Sequence, residues 1–138
     1  MIALPPEDLD FGDAYVEGDE TARWRSASGH SPALGSRASG SSVIEVPAGC
    51  RLPRHTDSAE ETIVVIDGVA DLQVAGESAT VPRGGQALVP ADAVHEVRNA
   101  GDAPLRFVAV YAAPDVVTRY EQVVQPDGER ERHTVAPT

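Results

Sequence analysis

The chain has 138 residues, 41% hydrophobic and 24% charged, which is enough for one domain with a modest core. Its 22 acidic and 11 basic residues leave a net charge of −11, a surface that repels phosphate backbones and anionic lipid and argues against nucleic-acid or membrane partners. All 11 basic residues are arginine, which excludes chemistry through a lysine Schiff base, and the single Cys50 has no intramolecular disulfide partner. No apolar stretch is long enough to span a bilayer, and the start Met1-Ile-Ala-Leu-Pro-Pro-Glu-Asp lacks the basic residues of a secretion signal, so a cytoplasmic location is expected.

Residues 1–20 are acidic and broken by Pro5, Pro6, Gly12 and Gly18; they read as an N-terminal arm, with Phe11 and Tyr15 as anchors to a neighbouring surface. The domain proper is expected over 21–124. Thr21 to Ser28 alternates around Trp24 as a strand, with Arg23 and Arg25 on the opposite face. His30 to Ser42 is rich in Gly, Ser and Ala and reads as a loop or a weak strand near a loop. Short strands follow at Val43 to Pro47, Thr62 to Ile66, Ala70 to Ala75, Ser78 to Pro82, Gln86 to Val89, His95 to Asn99 and Leu105 to Tyr111, with Asp67-Gly68 as a hairpin signal. Asp115 to Val123 suits either a short helix or an edge strand. Residues 125–138 are charged and flanked by proline, and read as a mobile tail in which His133 is a bystander. Turns recurring at this pace, with no longer repeat, predict an all-β sandwich or barrel.

Two of the four histidines lie between Gly49 and Asn99. His55 and Asp57 are two apart and share one face of an extended segment, and Glu61 keeps that parity. Glu60 has the opposite parity and is expected to face solvent. Two neutral imidazoles, from His55 and His95, brought together with two carboxylates make a site for a divalent cation.

The spacing of Gly49, His55, Asp57, Glu61 and Gly68, followed by that of Gly84, Pro90, His95 and Asn99, resembles the two motifs of the cupin family. Asp57 stands where the first motif usually has a second His, and Asp92 where the second motif has a Gly. The resemblance implies a single cupin double-stranded β-helix, or jelly-roll barrel, and a homodimer. It implies one divalent transition metal held by His55, Asp57, Glu61 and His95, with Asp57 either reaching the ion directly or orienting a water or a neighbouring ligand. Two carboxylates make the ion-bound set neutral and favour the harder Fe or Mn over Cu, with Zn, Ni and Cu still admissible. Cys50 reads as a small buried residue, and Gly49, Gly68, Gly84 and Pro90 as turn formers.

His55-x-Asp57 with a distal His95 also matches the facial triad of non-haem iron oxygenases, for which Arg106 would grip a cosubstrate; alternation instead puts Arg106 on the outside. The same parity argument lines a substrate pocket with Ile63, Val65, Val97 and Phe107, lets Trp24 or Arg25 cover its mouth, and leaves Tyr111 as the one proton-transfer group. The expected function is a metal-dependent enzyme on a small chelating molecule, running dioxygenase or Lewis-acid isomerase, lyase or cyclase chemistry. The rivals are a metal-free module that binds a small molecule without catalysis, and a metal-free enzyme with His55 as base.

Overall fold

The computed structural model describes residues 1–135. Its strands are β1 (Gly12–Val16), β2 (Asp19–Ser28), β3 (Gly40–Val46), β4 (Arg51–Asp57), β5 (Glu61–Asp67), β6 (Val69–Val74), β7 (Glu77–Pro82), β8 (Gln86–Val89), β9 (His95–Arg98), β10 (Leu105–Tyr111), β11 (Val116–Val124) and β12 (Glu129–Val135). Two six-stranded antiparallel sheets result, in the orders β1-β2-β3-β10-β5-β8 and β12-β11-β4-β9-β6-β7. They pack face to face as a jelly-roll barrel. The only helical pieces among the described residues are short turns at Pro6–Asp8 and Pro32–Leu34, and no helix is long and apolar enough to cross a membrane.

Alternation builds the core. Ile63 and Val65 of β5 and Leu105, Phe107 and Ala109 of β10 point between the sheets, where they meet Leu72 of β6 and Val97 of β9. The β5–β6 hairpin turns at Gly68, whose φ is +80° and where a Cβ would sit 2.7 Å from the Pro104 carbonyl oxygen. Asn99 staples the end of β9: its side-chain amide donates to the carbonyls of Val46 and Ala103, and its Oδ1 accepts from the Gly101 N–H. Asp92 takes the left-handed conformation, φ +64°, that the expected glycine would adopt, and its N–H donates to the Asp57 carbonyl.

Both ends of the chain differ from expectation. The arm is ordered into the first sheet from Gly12 onward, because β1 pairs with β2 from Gly12↔Ser26 to Val16↔Asp19. Phe11 lies under the guanidinium groups of Arg25 and Arg106, 5.1 and 5.5 Å from its ring centre, and the Tyr15 ring carries Arg23. The tail is corrected more strongly: Glu129–Val135 forms β12, paired with β11 from Val116↔Val135 to Val124↔Glu129. Its alternating charges read as a solvated tail, yet Glu131 pairs across the hairpin with Arg119 at 2.7 Å while Arg132 turns to the other face. Segment 115–123 is a strand rather than a helix, and an inner one, because Val116, Thr118 and Tyr120 are buried in strict alternation. Residues 136–138 of the expected tail lie outside the described residues.

Phe107 is fully buried, so Phe107→Ala is expected to lower the unfolding free energy by about 3–5 kcal/mol in urea denaturation. A loss below about 1 kcal/mol would mean that the ring borders open space.

Candidate metal centre

The β4 strand sets the site. It opens with Leu52 and Pro53 both buried, which breaks alternation. Leu52 pairs with Val97 and His55 with His95, so β4 uses one residue more than β9 over the same span. This bulge falls at Pro53, which has no N–H to give to the ladder. The extra residue restores inward parity, and both His55 and Asp57 face the barrel interior. Direct pairing of His55 with His95 brings the two rings to 4.0 Å between centroids. Glu61 enters from the opposite sheet at the start of β5, beside Tyr111 of β10.

Each imidazole is held in one tautomer. His55 Nδ1 donates to the Pro53 carbonyl at 2.6 Å and His95 Nδ1 donates to the Ala93 carbonyl at 2.9 Å. A carbonyl only accepts, so each neutral ring presents the Nε2 lone pair to the interior. His95 Nε2 stands 3.1 Å from Glu61 Oε1 and 3.3 Å from Asp57 Oδ2, and His55 Nε2 is 3.7 Å from the same Asp57 oxygen. None of these close contacts is aligned as a hydrogen bond. His95 Nε2, Asp57 Oδ2 and Glu61 Oε1 are all buried without a partner. Buried polar atoms are rarely left so, and three converging orphans fit a cation placed among them. The donor atoms of His55, Asp57 and His95 lie within 4.8 Å of one another, as ligands of one ion would.

The other oxygen of Asp57 is already engaged. Thr118 of β11, opposite Asp57 in the ladder, donates its hydroxyl to Oδ1 at 2.5 Å, and the Thr134 hydroxyl of β12 bonds Thr118 in turn. Asp57 therefore has one free oxygen, and it faces the histidines.

Electrostatics divides the two imidazoles. Burial, with His95 beside it, pushes His55 down to about 4. Burial also disfavours charge on His95, but Asp57 and Glu61 overcome it and raise its pKa to about 10. Burial raises Glu61 to about 6. Burial opposes ionisation of Asp57 too, yet the two histidines and Thr118 hold its pKa below the ordinary carboxylate value. Tyr111 is buried, lies 3.5 Å from the Ser42 hydroxyl, and is kept neutral first by burial and then by Glu61 and Asp57.

A cavity of about 260 Å³ opens onto His55, Asp57 and Glu61, and Tyr111 lines it. The expected pocket residues Ile63, Val65, Val97 and Phe107 do not line it; they are packed in the closed part of the core. Parity fixes the face of a side chain but not its depth, and Ile63 and Val65 lead away from Glu61 into the region where the sheets close. The walls come instead from Trp24 of β2, Ser42 and Ile44 of β3, Thr118 and Tyr120 of β11, and Arg132 and Thr134 of β12. Trp24 thus borders the cavity, whereas Arg25 turns outward to Asp13 and Glu45. Arg106 also faces out, paired with Glu45 at 2.5 Å. The inward contributions of β11 and β12 were missed; the alternation Val116-x-Thr118-x-Tyr120 was the signal for the first. His133, read as a bystander, reaches the cavity rim but is half exposed and bonded to Asp115 at 2.7 Å.

Two antiparallel sheets with imidazoles and carboxylates gathered between them define a jelly-roll barrel with a candidate metal centre. Residues 42–111 match the family described as Cupin domain, and the chain belongs to that family. Among solved structures it is similar to a predicted oxalate decarboxylase from Thermotoga maritima, with TM-score 0.69 and 17% identity over 81% of this chain and 99% of that one. It is also similar to the oxalate decarboxylase formate complex of Lactobacillus farciminis, with TM-score 0.66 and 20% identity over 78% of this chain and 32% of that one. The Cnp3 cupin domain of Schizosaccharomyces pombe gives TM-score 0.59 and 19% identity over 65% and 64% of the two chains. The chain spans less than two thirds of the length of these last two, and at such identities the likeness is one of fold. No curated protein matches it by sequence.

In ion-free protein, side-chain nitrogen NMR is expected to show His95 charged at pH 8 and His55 neutral down to about pH 4. The raised pKa of His95 stabilises the ion-free fold fully below its unfolded value of 6.5, and that contribution is lost as pH rises through about 10. A His95 titrating near 6.5 would contradict the described contacts.

Proposed function

We propose that the protein is a divalent-metal-dependent enzyme acting on a small organic molecule that chelates the ion. The observation that carries this reading is the convergence of three orphaned buried polar atoms, Asp57 Oδ2, Glu61 Oε1 and His95 Nε2, beside the lone pair of His55. Without an ion, charged His95 and the Thr118 hydroxyl compensate the two desolvated carboxylates only in part. Two nitrogen and two carboxylate donors suit Fe or Mn better than Cu, and the two negative charges balance a divalent ion. When bound, such an ion supplies Lewis acidity toward an enol, enediol, catechol or hydroxy-keto group, or, as iron, redox chemistry with dioxygen.

The chain's own residues have distinct tasks in this scheme. His55 and His95 present fixed Nε2 lone pairs, set by the Pro53 and Ala93 carbonyls. Thr118 restricts Asp57 to a single free oxygen. Tyr111 keeps its proton and offers a neutral hydroxyl at the cavity wall. Trp24, Ile44 and Leu52 give that wall apolar surface, which limits water around a bound molecule.

Calorimetric titration of ion-free protein with Mn²⁺ tests the reading. One ion per chain is expected, with release of about one proton at pH 7.5 as His95 gives up its charge, and with uptake abolished in His95→Ala. Thr118→Val is expected to weaken affinity by about 10–100-fold, and Thr118→Ser to restore most of it. Wild-type protein that takes up neither Mn²⁺ nor Fe²⁺ would refute the proposal.

A further inference from the structure

We infer that the molecule taken by the cavity is a small organic carboxylate, held at its anionic end by Arg132; the inference rests on the metalloenzyme reading and names its substrate class. Among the described residues that line the cavity, Arg132 is the only Arg or Lys. It sits on β12 opposite Thr118, which is itself opposite Asp57, so all three lie in one row across the sheet and on its inner face. Two strand spacings separate Arg132 from Asp57, about 10 Å between backbones, which a molecule of a few carbon atoms bridges once both side chains reach inward.

The guanidinium is only loosely engaged, in an ion pair with Asp127 that is not a hydrogen bond. Its side chain is 30% exposed, and its nearest carboxylate oxygen, on half-exposed Asp127, is 3.6 Å from Nε, beyond hydrogen-bond distance. Among the described residues it donates no hydrogen bond, although it carries five N–H donors in a planar fork matched to a carboxylate. Tyr120 lines the cavity as well.

Charge balance gives Arg132 its importance. Two carboxylates and two neutral imidazoles around a divalent ion sum to zero, so the loaded centre offers an anion no net attraction. The rest of the rim is no substitute, since Asp10 is acidic and the His133 ring is tied to Asp115. A protonated amine brings the guanidinium only a like charge and a neutral polyol only uncharged acceptors; a carboxylate supplies two charged oxygens that match its fork.

The test uses Mn²⁺-loaded full-length protein and pairs of probes matched in shape: small 2-hydroxy and 2-keto acids, each against its own amide, with binding read by calorimetry. At least one acid is expected to bind roughly tenfold or more tightly than its amide, with Arg132→Gln removing that preference and Arg132→Lys restoring part of it. Mn²⁺ uptake by each variant is measured in the same experiment and is expected to match wild type. Acids and amides binding alike, no acid binding at all, or an unchanged preference in Arg132→Gln would overturn the inference while leaving the metal site intact. Failure of the wild-type protein to take up Mn²⁺ would instead overturn the metalloenzyme reading beneath it.

Discussion

Asp57 and Glu61 are each withdrawn from water almost completely, 3% and 2% exposed, beside two equally buried imidazoles. Burying two carboxylates is costly unless charge and hydrogen bonds compensate. In the ion-free chain part of the compensation comes from protonated His95, whose proton is held well above its ordinary pKa by the same carboxylates. Thr118 supplies another part through Asp57 Oδ1. What remains uncompensated is one oxygen on each carboxylate and the His95 Nε2 they face. The surrounding barrel holds that residue of unsatisfied polarity in place, and a divalent cation is the partner that would relieve it.

Several distant features serve this arrangement. The bulge at Pro53 corrects the parity of β4, without which His55 and Asp57 would point outward. Carbonyls two residues upstream fix both histidine tautomers, so the backbone itself decides which nitrogen faces the site. The C-terminal strand adds the outer supports: Thr134 holds Thr118, and Arg132 stands beside it at the cavity wall. Sheet formation at the chain end is therefore coupled to the position of Asp57, several strands away in sequence.

The motif residues were legible because they combine two kinds of information. Strand parity places His55, Asp57 and Glu61 on inner faces, and fixed spacing to Gly68 and Asn99 places those strands in one barrel; the structure gathers the donor atoms of His55, Asp57 and His95 within 4.8 Å and sets Glu61 against His95. Asp92 fits where the motif has glycine, since Asp tolerates the left-handed conformation. The cavity lining was not legible in the same way. Ile63 and Phe107 share the inner face with the ligand set but lie at a depth where the sheets meet, and parity carries no information on depth. The charged stretch of β12 has the composition of a solvated tail, and only its cross-strand partners on β11 reveal that every second residue turns inward.

The most direct measurement is a crystal structure of Mn²⁺-loaded protein with anomalous diffraction. The account predicts one strong anomalous peak among His55 Nε2, His95 Nε2, Asp57 Oδ2 and Glu61 Oε1, with the Thr118 hydroxyl still on Asp57 Oδ1. A protein crystallised in saturating Mn²⁺ with no peak between β4, β5 and β9, or with the ion elsewhere on the barrel, would contradict it.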